Sequence, residues 1–85
     1  MGNINYEKLL VELVKPLVTH PEDIKVSVSE NEENNILVNV LVHKEDIGRV
    51  IGKKGRVASS IRTLVYAAAM RYSETVSIEF DAKEE

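Results

Sequence analysis

The order of its periodicities predicts an α+β fold for this chain, with helices packed on one face of a three-stranded mixed sheet. Three observations carry that prediction. Apolar residues recur at helical spacing from Tyr6 to Leu17, and two alternating segments, 24–28 and 36–42, follow them. A helix, a glycine turn and a longer helix come next, before a last alternation at Val76, Ile78 and Phe80. The order αββααβ leaves each element one apolar face, which a two-layer sandwich buries.

The first helix starts at Asn3 or Asn5, either of which can cap it, and runs to about Thr19. Its buried stripe is Tyr6, Leu9, Leu10, Leu13, Val14 and Leu17. Pro16 removes a hydrogen bond and should bend the last turn, and Pro21 pushes His20 out of helical conformation. Ile24, Val26 and Val28 alternate with Lys25, Ser27 and Ser29, which predicts a strand with one wet face. A polar turn from Glu30 to Asn35 leads into a second strand, Ile36 to Val42. Val38, Val40 and Val42 line one side of it and Leu37 and Leu41 the other, so it is expected to be central and the more buried. A short helix is expected over 44–51 and a long one over 56–72, the latter with Val57, Ala58, Ile61, Val65, Ala68 and Tyr72 toward the core. The single domain is expected to span 1–81, with 82–85 a frayed tail.

Composition narrows the function classes. Eighty-five residues suffice for one core. The absence of cysteine removes disulfides and thiolate metal sites, and His20 and His43 alone do not make a structural zinc site. No apolar run reaches the roughly 18 residues of a membrane span. The start MGNINYEKLL has neither a signal-peptide pattern nor the small hydroxyl residue that myristoylation needs at position 6. The expected compartment is the cytoplasm. Net charge is −3 overall, but it divides into −4 over residues 1–43, +5 over 44–71 and −4 over 72–85. Such a patch draws an anion to one place on an otherwise repelling body.

That patch centres on DIGRVIGKKGR, residues 46–56. The spacing fits neither a phosphate-binding P-loop nor the dinucleotide fingerprint. It does fit a helix, G-x-x-G and a second helix. Gly52 and Gly55 free the backbone and obstruct nothing, Lys53 and Lys54 add charge, and the following helix start favours an anion. A sugar-phosphate backbone suits this chemistry. Asp46 and Glu45 are adjacent at a helix start, where acid is favoured structurally, and Ser59 and Ser60 have no neighbouring base. Neither pair suggests catalysis.

IGKKG within this element order resembles the K-homology (KH) domain, of the type II arrangement, and VHKEDIGRVIGKKGRVASSIRTLVYAAA is similar to the small bacterial KhpA family. The likeness covers nearly the whole chain, from VKPLV at 14–18 to SIEF at 77–80, and is most specific at GRVIGKKGR. It implies a non-catalytic protein without cofactor or metal that grips single-stranded RNA. Gly52, Lys53, Lys54 and Gly55 would hold phosphates, and Ile47, Val50 and Ile51 with Val40 would form an apolar floor under the bases. Arg49, Arg56 and Arg62 would flank the track. Lys44 departs from the family, where proline often starts the helix. The four aromatics Tyr6, Tyr66, Tyr72 and Phe80 lie outside the loop, so one domain should bind weakly and gain from pairing. The resemblance implies homodimers, heterodimers with a KhpB (Jag)-type partner, and an RNA-chaperone role linked to cell-wall synthesis and cell shape. Leu64, Tyr66 and Met70, with Leu37 and Leu41, supply surplus apolar surface for a partner. The alternative is a protein-interaction module whose glycine groove holds no nucleic acid.

Overall fold

The computed structural model describes residues 4–31, 33 and 35–84. The order is α1 (Tyr6–Val14), β1 (Lys25–Glu30), β2 (Asn35–Val42), α2 (Ile47–Ile51), α3 (Arg56–Met70) and β3 (Thr75–Ala82). The sheet runs β1-β2-β3, with β2 antiparallel to β1 and parallel to β3. This is the α+β class that the periodicities predict.

Asn5 caps α1, its side chain accepting from the Lys8 amide at 3.0 Å; Asn3 lies outside the described residues. Tyr6, Leu10 and Val14 are the buried stripe, while Leu9, Leu13 and Leu17 are only half-buried. The helix ends at Val14, short of the expected Thr19. Pro16 has no amide to continue the ladder, so Lys15–Leu17 tighten into a 3-10 turn and Val18 is extended. A second 3-10 turn, Pro21–Asp23, delivers the chain to β1.

β2 is central because both its edges are paired. The expected reason differs, since its second apolar face is not covered: Leu37 is 41% exposed and Leu41 half-buried. Ile36, Val38, Val40 and Val42 face the helices and join Leu10, Val14, Val50, Ile61, Val65 and Ile78 in one core. On α3 the buried positions are Ala58, Ile61, Val65 and Ala69. The expected Ala68 is half-buried and Tyr72 is 46% exposed. Helix α3 stops at Met70, and the amides of Tyr72 and Glu74 both return to the Ala69 carbonyl. The Tyr72 amide bonds only three residues back, which tightens the last turn and takes Tyr72 off the α-helical path, and Ser73 then turns left-handed (φ 57°).

The sheet also runs further than alternation indicates. Ala82 pairs with Val42, and the Lys83 amide donates to the Val42 carbonyl at 2.8 Å. The last strand therefore continues past the alternation that ends at Phe80, because a free carbonyl at the end of β2 remains to be satisfied. Tyr6 donates its hydroxyl to Glu74, joining α1 to the approach of β3. Burial first, then that carboxylate, pushes the Tyr6 phenol well above its ordinary pKa. No described helix is long and apolar enough to cross a membrane.

Candidate nucleic-acid interface

The approach to the glycine turn differs from the expected helix over 44–51. Residues 44–46 form a turn, closed by the Asp46 amide on the His43 carbonyl at 2.8 Å, and α2 begins at Ile47. Asp46 has no exposed surface. Its carboxylate does not cap α2 but crosses to the α1–β1 connection. Oδ1 accepts from the Thr19 amide at 3.0 Å and the Thr19 hydroxyl at 2.8 Å, and Oδ2 from the His20 amide at 2.9 Å. Burial alone would raise its pKa, but these three bonds and His20 outweigh it and hold Asp46 below the usual carboxylate range. Five residues of helix are too few to persist alone, so this anchor fixes where α2 starts.

The turn then leaves α2 at Gly52. Its amide closes the helix on the Gly48 carbonyl at 2.9 Å, and the chain reverses with φ 79° at Gly52, 56° at Lys54 and 74° at Gly55. The Gly55 amide bonds the Gly52 carbonyl at 3.1 Å, and α3 follows without a side-chain cap. The Arg56 amide is taken by the Lys53 carbonyl, so what the start of α3 offers the turn is the positive end of its dipole rather than that amide. Lys53, Lys54 and Arg56 are exposed around it.

The two glycines serve different needs. A Cβ on Gly52 would stand 2.4 Å from Val57 Cγ2 and 2.9 Å from the Val57 amide nitrogen, whereas one on Gly55 would meet nothing within 4 Å. Gly52 thus lets the turn fold back on α3. Gly55 supplies a left-handed residue and leaves open space above it.

The expected site residues divide. Gly52, Lys53, Lys54, Gly55 and Arg56 form one continuous surface. Ile47 and Ile51 are half-buried beside it. Val40 and Val50, expected as floor, have no accessible surface: β2 turns Val40 inward to the helices, and α2 turns Val50 down onto the core. Arg49 is exposed, with its Nε 3.8 Å from Asp46 Oδ1. Arg62 is not a free flanking cation. Its Nε donates to the Ile78 carbonyl at 3.1 Å, and its guanidinium lies 5.3 Å from the centre of the Phe80 ring. It therefore ties α3 to the open edge of β3. Sequence reasoning placed Val57 toward the core but missed its close approach to Gly52, and it missed Phe80 as a neighbour of Arg62.

Substituting the two glycines should separate these roles. Gly52→Ala combines left-handed strain with a clash on backbone and is expected to cost about 2–4 kcal/mol. Gly55→Ala carries only the backbone strain, about 1–2 kcal/mol. Chemical denaturation of both variants measures the difference; equal losses would contradict the assigned roles.

Comparison with known proteins agrees with this architecture. The family model for the KhpA/KhpB KH domain matches residues 7–80. The RNA-binding protein KhpA of Bacillus subtilis (strain 168) is 46% identical over 79 residues, covering 93% of this chain and 96% of that protein. The RNA-binding protein KhpA of Listeria monocytogenes serovar 1/2a (strain ATCC BAA-679 / EGD-e) is 45% identical over 73 residues, 86% of this chain and 95% of its own length. That of Clostridium perfringens (strain 13 / Type A) is 47% identical, with 85% and 96% covered. A match across nearly all of α1 to β3, at this identity, places the chain in a family: it belongs to the KhpA/KhpB KH-domain proteins.

Proposed function

We propose that this chain is a non-catalytic RNA-binding protein that grips single-stranded RNA at the 52–55 turn. One observation carries the reading: two exposed lysines sit on a glycine-framed reversal that runs straight into the uncapped start of α3. Phosphate oxygens suit both the lysine ammonium groups and the positive end of the α3 dipole. The accessible apolar surface beside the turn belongs to Ile47 and Ile51, which can meet unstacked bases. That relatives of this family are named RNA-binding proteins supports the same conclusion.

Charge reversal at the turn tests it. Lys53→Asp combined with Lys54→Asp leaves a folded protein, because both side chains are exposed. Loss of two charge-assisted contacts is expected to weaken single-stranded RNA binding by about 100-fold or more. A binding titration with circular dichroism on the same sample decides it, and unchanged affinity would defeat the phosphate-grip assignment.

The reading extends to assembly in the cytoplasm, as a homodimer and with a KhpB (Jag)-type partner, in RNA-chaperone work linked to cell-wall synthesis and cell shape. Family membership supports the partner and pathway. Helix α3 supports the dimer: Leu64 is 60% exposed, Met70 76% and Tyr66 38%. Leu64 stands on one margin of the outer face and Tyr66 with Met70 on the other, with Ser60, Thr63 and Ala67 exposed between them. Small residues between apolar margins let a second helix approach closely. Leu64→Lys would set two like charges across a two-fold contact. Sedimentation across a concentration series should show a folded monomer for the variant and a dimer for the wild type; a monomeric wild type at about 10 µM, the scale of a modest interface, would contradict the dimer.

A further inference from the structure

The junction that anchors α2 carries a second set of contacts, built around His20. His20 and His43 stack with ring centres 4.0 Å apart and planes inclined by 23°. The Glu45 carboxylate reaches both rings, with Oε1 3.1 Å from His20 Nε2 and 4.0 Å from His43 Nδ1. The two histidines are not equivalent. His43 Nδ1 accepts from the Glu45 amide at 3.0 Å, which places the His43 ring proton on Nε2. Neither nitrogen of His43 then offers a free lone pair, so His20, His43 and Glu45 do not make a metal site in this arrangement. His20 Nε2 is left to donate to Glu45.

Carboxylates face His20 from every element around it. Glu22, in the 3-10 turn that follows, brings Oε2 to 3.7 Å from His20 Nδ1. Asp46 holds the His20 amide, and Glu45 accepts from the ring. His43 supplies its ring face. Arg49 of α2 meets this group at Asp46, 3.8 Å away, and thus answers a charge that three hydrogen bonds already balance.

We propose that His20 is a proton-operated clasp: its imidazolium fastens the segment after α1 to Glu45 and so seats the head of α2, and deprotonation loosens that seat. The hydrogen bond to Glu45 raises the His20 pKa, partial burial opposes, and the charges of Asp46, Glu45 and Glu22 add to the rise. With the folded value above the unfolded one, the clasp contributes fully below the ordinary imidazole value of about 6.5 and fades as pH climbs through the raised value. Because α2 leads directly into the 52–55 turn, the proton on His20 acts on the mount of that turn. The clasp itself does not depend on RNA being the ligand.

The test uses the whole chain without RNA. Ring protons of His20 are titrated by nuclear magnetic resonance in the wild type and in Glu45→Gln. Hydrogen exchange of the Val50, Ile51 and Gly52 amides, corrected for intrinsic rates, is measured at about pH 5 and pH 8. Glu45→Gln spares every bond to Asp46 and changes a largely exposed side chain, so it keeps the fold. The wild-type His20 pKa should lie above about 6.5 and move down in Glu45→Gln. Protection of α2 should fall from the lower to the higher pH in the wild type and change little in the variant. An ordinary His20 pKa, or the same pH dependence of α2 in both proteins, overturns the proposal.

Discussion

The buried carboxylate of Asp46 is the constraint on which the geometry of the site rests. A fully desolvated charge persists only when hydrogen bonds replace its water, and here three donors from Thr19 and His20 do so. Those donors sit 26 and 27 residues away in sequence. One side chain therefore joins the exit of α1 to the entry of α2, two junctions that the sheet alone does not hold together. Conversely, the Thr19 and His20 amides lie where the chain is neither helix nor strand, and they need an acceptor. Donor and acceptor solve each other's problem.

From that anchor the rest of the site follows by short steps. Helix α2 contributes one fully buried side chain, Val50, and one turn of backbone before Gly52 releases it. The close approach of Gly52 to Val57 then sets how α3 leaves the turn, and Arg62 secures α3 against the edge of β3. Lys53 and Lys54 need no support of their own. Their exposure is the result of everything beneath them being fixed. Basic residues gathered on an otherwise acidic chain would draw an anion to this one surface.

Much of this was legible in the residues themselves. Period-2 and period-3.6 patterns name the elements, and two glycines with two lysines mark the turn, because backbone freedom and charge are local properties. The failures share a cause. Asp46 reads as a helix-start acid, since nothing near it in sequence reveals Thr19 and His20. Val40 reads as either face of β2 until the helices choose a side. Arg62 reads as a free cation because its partners, Ile78 and Phe80, lie on a strand 16 residues or more away. Ala69 displaces Ala68 in the core by one position, a rotation that packing decides. Even the end of β3 depends on a carbonyl of β2 awaiting a donor.

The anchoring role of Asp46 is open to one direct measurement. Asp46→Asn preserves shape but offers a single acceptor oxygen, and its amide group would face buried donors. The folded-state pKa of Asp46 is lowered, so its contribution is present above the ordinary carboxylate value of about 3.9 and lost as pH falls through the depressed one. Denaturant unfolding of wild type and variant from about pH 7 down into the acid range reads both consequences. The variant should be markedly less stable at neutral pH, with the gap closing in acid as the wild type loses its charged anchor. Equal stability of the two proteins at neutral pH, or a gap that does not change with pH, would contradict the account.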